Sequence, residues 1–209
     1  MKRIYLHPGP IRLWHWINAT SFLVLIVTGL QLRYREAISL MSFEQAVDIH
    51  NWFGFILLGN YGIWLLYYLL TGKIKIYLPP ANLGKFIKKA ISQAKYYGYG
   101  IFIGEENPHN STPENKFNPL QQTAYLQIMA LLIPLQILTG LLLWDMDLFS
   151  RWINLAGGVK IVDTVHVFLF LFFSSFMIVH IYLATLGHTA TAHIKAMITG
   201  YEEEHESGH

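Results

Sequence analysis

Four histidines carry the chemistry this sequence could do: His15, His50, His166 and His180 each lie inside or at the edge of a long apolar segment. Ionisable or metal-binding side chains are costly in lipid and usually functional there. Neutral imidazole is a common metal ligand, so facing rings in a bundle point to a bound metal or cofactor. His166 and His180 share one segment. Fourteen residues of α-helix leave two side chains ~40° apart around the axis and ~21 Å apart along it. That spacing stacks two sites on one helix face, one near each membrane surface.

The elements that must position these rings follow from composition. The 209 residues are 53% hydrophobic and 13% charged, against about a quarter charged in a soluble domain. Roughly 20 residues are needed per span, and four apolar stretches approach that length: 13–32, 52–70, 123–144 and 161–186. Trp14, Trp16, Trp52, Trp144 and Trp152 sit near their ends, as interfacial anchoring requires. Met1-Lys2-Arg3 resembles a signal-peptide start, but Arg12 and His15 interrupt the apolar run, which then continues too long and lacks a small-residue cleavage site. The first span is therefore read as uncleaved. The expected architecture is all-α and integral to the membrane, a single domain over 1–209 with four transmembrane helices and an acidic tail at 201–209, whose run Glu202-Glu203-Glu204-His205-Glu206 is expected to be disordered. Gly72, Gly157, Gly158 and Pro79-Pro80 punctuate the boundaries, and no internal repeat is evident.

Loop charge gives the orientation. Eleven lysines and arginines fall before span one, between spans two and three, and after span four, against four (Arg33, Arg35, Arg151, Lys160) in the other two loops. The positive-inside rule places both termini and the central loop in the cytoplasm of a prokaryotic inner membrane. Within that loop Leu83, Phe86, Ile87, Ala90, Ile91 and Ala94 recur at helical spacing, with Lys85, Lys88, Lys89 and Lys95 on other faces. The pattern predicts an amphipathic helix on the cytoplasmic leaflet, in contact with membrane lipid, or packed on a partner subunit. Residues 105–116 read as an irregular loop. A net charge of +2 gives no reason to expect a nucleic-acid partner.

Orientation assigns each histidine a depth. His15 and His180 fall on the cytoplasmic side, His50 and His166 on the outer side, so the depths sort the four into two pairs. Two neutral imidazoles facing each other can fill both axial positions of a haem iron, which suits electron transfer rather than oxygen activation. A single intramembrane histidine is equally well explained by an interhelical hydrogen bond; four matched in depth favour ligation. Zinc or copper is disfavoured because no carboxylate or cysteine accompanies the rings. With no cysteine in the chain, covalent haem and thiolate-held iron–sulfur clusters are excluded. The expected cofactors are thus two non-covalent b-type haems. Gly29, fourteen residues after His15, and Gly54 and Gly140 fall near the outer depth, where a porphyrin needs room or where helices touch through small residues. Arg12, close to His15, is a candidate for haem propionates or an ordinary positive-inside arginine. Gln127 and Gln136 read as interhelical hydrogen-bond partners, and Pro134 as a kink. His7, His109, His188, His193, His205 and His209 lie outside the spans and receive no ligand role.

Arg12-Leu13-Trp14-His15-Trp16, an R-x-x-H-W opening, and the paired histidines of span four resemble the b-type cytochrome subunits of nickel–iron hydrogenases, formate dehydrogenases and thiosulfate reductases. The resemblance runs from His7 to about Gly200, and Asn115–Gln121 resembles the segment that opens the family's third span. It implies that His15 and His180 hold a cytoplasmic-side haem and His50 and His166 an outer one, the pairing already given by depth. It further implies a quinone near the cytoplasmic haem, in contact with Asn118 and Gln121. Those two residues equally suit a helix cap and its first turn. Leu120 departs from the family, whose formate-dehydrogenase members carry glycine there.

The resemblance leads to a di-haem membrane anchor carrying electrons between an iron–sulfur subunit outside and the quinone pool on the cytoplasmic side. The catalytic subunit of a hydrogenase, formate dehydrogenase or sulfur-compound reductase would complete the complex, since this chain has no substrate centre of its own. The competing function is a stand-alone b561-type cytochrome exchanging electrons between quinone and a small oxidant such as superoxide.

Overall fold

A computed structural model describes residues 2–78, 82–109, 117–186 and 189–204. In chain order the elements are β1 (Lys2–Tyr5), α1 (Gly9–Arg33), α2 (Phe43–Leu70), α3 (Leu83–Gly98), α4 (Pro119–Gln127), α5 (Ile133–Trp144), α6 (Ser150–Leu155), α7 (Val159–Ala184), α8 (Ala192–Thr199) and β2 (Tyr201–Glu204). Among the described residues four helical segments, Gly9–Arg33, Phe43–Leu70, Pro119–Trp144 and Val159–Ala184, are long and apolar enough to cross a membrane. The chain is a mostly helical, multi-pass membrane protein, as composition indicated.

The helices begin earlier than hydropathy alone suggests. α2 starts nine residues before the expected span because Ser42 and Gln45 form a reciprocal cap. Ser42 Oγ accepts from the Gln45 amide at 3.2 Å, and Gln45 Oε1 accepts from the Ser42 amide at 3.1 Å, an arrangement that satisfies two otherwise orphan donors. His50 therefore stands inside a helix with two turns beneath it. In the third span, Pro134 has no N–H to offer the carbonyl four residues back. The helix accommodates this through a π turn at Ile128–Leu132, closed by the Ile133 amide on Ile128 O, as helix irregularities at proline commonly do.

Two compact units are distinguished, Met1–Leu66 with Pro134–His209, and Tyr67–Ile133. In the first, α1, the body of α2, α5 and α7 pack together. Trp14 Nε1 donates to Asn60 O and Asn60 Nδ2 donates to Trp14 O, both at 3.1 Å, joining α1 to α2 by a reciprocal polar contact. Phe22 meets Phe173 with ring centres 5.1 Å apart, and Phe55 meets Trp144 edge-on at 5.0 Å. Buried Gln31 ties down the α1–α2 connection, donating to Met41 O at 2.6 Å and accepting from Leu40 N at 3.1 Å. Leu142, Ile153 and Val162 form a core that seats α6 against α5 and α7.

The tail departs from the disorder expected of it. Tyr201–Glu204 is a strand, paired antiparallel with Lys2–Tyr5 in the register Tyr5↔Tyr201 to Lys2↔Glu204; residues 205–209 lie outside the described residues. Gly200 makes the clasp possible. Its φ is +91°, and a Cβ there would lie 2.7 Å from Tyr5 Cε2 and 2.8 Å from His7 O. Its carbonyl accepts from the amides of Leu6 and His7 at 2.9 and 3.1 Å. Side chains at such a φ cost ~1–3 kcal/mol. Gly200→Val should therefore open the clasp locally, read as faster hydrogen exchange at Leu6 and His7 with the spanning helices still protected.

The second unit centres on α3 and α4. Asn82 caps α3, its Oδ1 accepting from Lys85 N at 3.0 Å. One face of α3 packs inward through Gln93, which is 1% exposed and donates to Asn107 Oδ1 at 3.1 Å. Leu83, Ile87 and Ile91, one turn apart, remain exposed at 56, 54 and 64%. Helical spacing thus gave the helix correctly, with an apolar stripe that the described residues of this unit do not cover. Tyr77, Phe117 and Tyr125 form an aromatic row, with centres 5.6 and 5.0 Å apart. Of the irregular loop expected at 105–116, residues 105–109 have no regular structure and 110–116, with Asn115 and Lys116, lie outside the described residues. Pro79 and Pro80 do also.

Candidate functional site

The first unit brings the four histidines together in the two expected pairs. His15 from α1 faces His180 from α7 with ring centres 6.1 Å apart, and His50 from α2 faces His166 from α7 at 6.4 Å. Metal–imidazole bonds of ~2.0–2.1 Å, as for zinc, plus about 1.1 Å from each nitrogen to its ring centre, make ~6.2–6.4 Å between two rings facing across one ion. Both spacings are close to that range. α7 is one helix from Val159 to Ala184, so His166 and His180 are separated by a rise of ~21 Å along it.

The pairs differ in how they are held. His180 stacks on Phe176, one turn before it, with centres 5.7 Å apart and planes at 19°, and His15 lies edge-on to Trp16 at 5.2 Å. Among the described residues His15 Nδ1 has no hydrogen-bond partner. At the other pair both rings are gripped through Nδ1: Thr28 Oγ1 lies 2.9 Å from His50 Nδ1, and Thr139 Oγ1 lies 2.9 Å from His166 Nδ1. Gln136 Nε2 approaches His166 Nε2 at 3.2 Å, the interhelical role expected of that glutamine. The threonines were not anticipated from sequence. Their signal is a repeated Thr-Gly-Leu, at 28–30 in α1 and 139–141 in α5.

Each threonine precedes a glycine that makes room beside a ring. A Cβ at Gly29 would lie 3.5 Å from His50 Cε1, and one at Gly140 only 3.2 Å from His166 Cε1. A cavity of about 420 Å³ opens here, bordered by Gly29, His50, Gly54, Gly140 and His166 and by apolar side chains including Leu25 and Phe170. That volume is within the ~300–1,000 Å³ usual for ligand sites. Arg33 and Asp163 are the charged residues on its lining. At the opposite end, Arg12 donates from Nη1 to Ile198 O, which fastens α1 to α8. Among the described residues its Nε is buried without a hydrogen-bond partner, so one donor is left for an anionic group.

Asn118 and Gln121, in the second unit, form a complete capping box. Asn118 Oδ1 accepts from Gln121 N at 2.9 Å and Gln121 Oε1 accepts from Asn118 N at 3.0 Å. Asn118 is 2% exposed and gives its Nδ2 to Tyr97 OH at 3.1 Å. Gln121 is half-buried, and its Oε1 is used in the box.

Apolar helices long enough to span a membrane, presenting facing, half-buried imidazoles, suit an integral-membrane electron-transfer cytochrome. The chain belongs to the prokaryotic cytochrome b561 family, whose family model matches residues 6–200. Membership implies b-type haem, and the chain's residues fit it: paired rings at the right separation, a glycine-lined cavity beside one pair and a spare arginine donor near the other. Over 204 residues the chain is 35% identical to the putative cytochrome YdhU of Escherichia coli (strain K12), covering 96% of this chain and 75% of that one. It is 25% identical to a probable Ni/Fe-hydrogenase B-type cytochrome subunit of Cupriavidus necator, over 96% of this chain and 87% of that one. It is 23% identical to the putative protein-methionine-sulfoxide reductase subunit YedZ1 of Azospira oryzae, over 79% and 83%. No solved structure matches the chain at a significant level.

Proposed function

We propose that this chain is a di-haem cytochrome b that anchors a redox enzyme to the prokaryotic inner membrane and carries electrons between an iron–sulfur partner on the outer side and quinone on the cytoplasmic side. The observation that carries the reading is the presence of two facing histidine pairs at near-equal ring spacing, both drawing on α7. Bound haem would supply one-electron transfer. The chain's own part is positional. His15 and His180 would hold one haem and His50 and His166 the other, with α7 fixing their separation. Arg12 Nε would neutralise a propionate at the first site. The apolar helices exclude water from both.

Loop charges support placing the clasp and both termini in the cytoplasm. The same orientation lays α3 on the inner leaflet, its exposed Leu83, Ile87 and Ile91 toward acyl chains and its lysines toward anionic headgroups. At the quinone site, Gln121 Nε2 would donate to a quinone carbonyl, with Asn118 holding Gln121 in place through the capping box. Relatives named as hydrogenase and reductase subunits support a subunit role. A hydrogenase is therefore the favoured partner, with formate dehydrogenase or a sulfur-compound reductase as alternatives of the same kind.

Pyridine haemochrome assay of the purified chain should give two b haems per polypeptide, resolved by potentiometric titration into two components. One haem or none overturns the di-haem reading. Co-purification with an iron–sulfur subunit separates the anchor from the stand-alone b561-type cytochrome, which would turn over quinol with superoxide alone.

A further inference from the structure

The two histidine pairs are built differently, and the difference has a chemical meaning. A threonine hydroxyl has one hydrogen to give and two lone pairs to accept with. At Thr28 the hydrogen is directed to the carbonyl of its own helix, Val24 O at 2.8 Å, with Leu25 O at 3.3 Å. At Thr139 it is directed to Leu135 O at 2.9 Å, with Gln136 O at 3.0 Å. Each oxygen is thereby left to face the imidazole as an acceptor. The proton of His50 and of His166 then sits on Nδ1, and the lone pair is on Nε2. The Gln136 amide nitrogen, which can only donate, stands 3.2 Å from His166 Nε2 and agrees with that assignment.

Among the described residues the arrangement occurs twice, on different helices, at one pair only. Thr28 from α1 grips His50 of α2, and Thr139 from α5 grips His166 of α7; both threonines are buried, at 2 and 5% exposure. His15 Nδ1 is buried with no hydrogen-bond partner among the described residues. An Nδ1–H donated to a fixed oxygen orients a metal-binding imidazole and raises its basicity. A more basic axial ligand favours the oxidised iron, so the reduction potential falls at a site built this way.

We propose that Thr28 and Thr139 are positioning residues for the His50/His166 haem, fixing both rings as Nδ1–H tautomers with Nε2 presented to iron and lowering the reduction potential of that haem alone. The proposal rests on the di-haem reading above and deepens it. The other haem in the same chain provides an internal reference.

The experiment is a potentiometric titration of the purified, haem-loaded chain, with haem counted per polypeptide and low-temperature EPR of the oxidised form. Thr28→Val and Thr139→Val keep the side-chain shape and remove the acceptor oxygen; Thr28→Ser and Thr139→Ser restore it. The valine variants should keep two haems, shift one component's midpoint upward together with its EPR g values, and leave the other component unmoved. The serine variants should return both to wild type. If a valine variant loses one haem, retention by its serine counterpart at the wild-type potential supports the hydroxyl's role, and loss in both shows packing only. Unmoved potentials, equal shifts in both haems, or serine behaving as valine would overturn the proposal. A wild-type chain without two haems would instead defeat the reading of the site on which it rests.

Discussion

Replacing His50 by alanine should halve the haem content of the purified chain and remove one of two potentiometric components, leaving the other at its wild-type midpoint. The asymmetry follows from the pairing. His50 faces His166 and His15 faces His180, so on the di-haem reading deletion of one ring would strip a ligand from one site and leave the other intact. His180→Ala should give the complementary loss, although His166 and His180 share α7. If His50→Ala removed the component that His180→Ala also removes, the pairing would be wrong. Circular dichroism on the same samples guards against simple misfolding, since helices buried in lipid satisfy their backbone bonds internally whether or not a ring is present.

The second large effect is steric. Glycine in a helix costs roughly 0.5–1 kcal/mol relative to alanine, so a Gly→Ala change with free space should stabilise. At Gly29 the new Cβ would make ordinary contacts, 3.5 Å to His50 Cε1 and 3.7 Å to Phe170. Gly29→Ala should therefore keep full haem occupancy. At Gly140 the distance to His166 Cε1 is 3.2 Å, and the His166 ring is already fixed by Thr139 on Nδ1. Gly140→Leu should push that ring aside and fill part of the cavity, cutting occupancy of the His50/His166 site at least tenfold while the other haem remains. A Gly140→Leu chain with both haems and unchanged spectra would show that the cavity does not house the cofactor.

Much of the site was legible because each ring carries two independent labels. Hydropathy places it in a span, and loop charge gives that span a direction, so depth alone pairs the four. The third-span proline was legible in the same way, since a missing N–H has a local consequence. What stayed hidden depends on contacts distant in sequence. The run Tyr201–Glu204 reads as a solvated acidic tail until Lys2–Tyr5, two hundred residues away, supplies its hydrogen-bond partners. Thr28 and Thr139 look like incidental polar residues in apolar helices. Only packing shows that each points at an imidazole. The early start of α2 is also written in the sequence, since Ser42 and Gln45 have the spacing of a capping box, a polar signal that hydropathy does not register.

Asn118 shows how one sequence feature can serve two readings. Its type and position suit a quinone donor and a helix cap equally, and the fold uses both ends of its amide in capping and in the contact with Tyr97. Burial pushes the Tyr97 phenol above its ordinary range, and its oxygen accepts the Asn118 amide hydrogen at 3.1 Å.

α7 contributes one ring to each pair within a single hydrogen-bonded rod. A residue inserted between His166 and His180 would turn one ring by ~100° relative to the other and displace it by ~1.5 Å. No local loop stands between them to absorb the error. The number of residues from 167 to 179 is thus as binding a specification as the two histidines themselves. This stretch of chain is a ruler, free to vary in its lipid-facing side chains and fixed in its length.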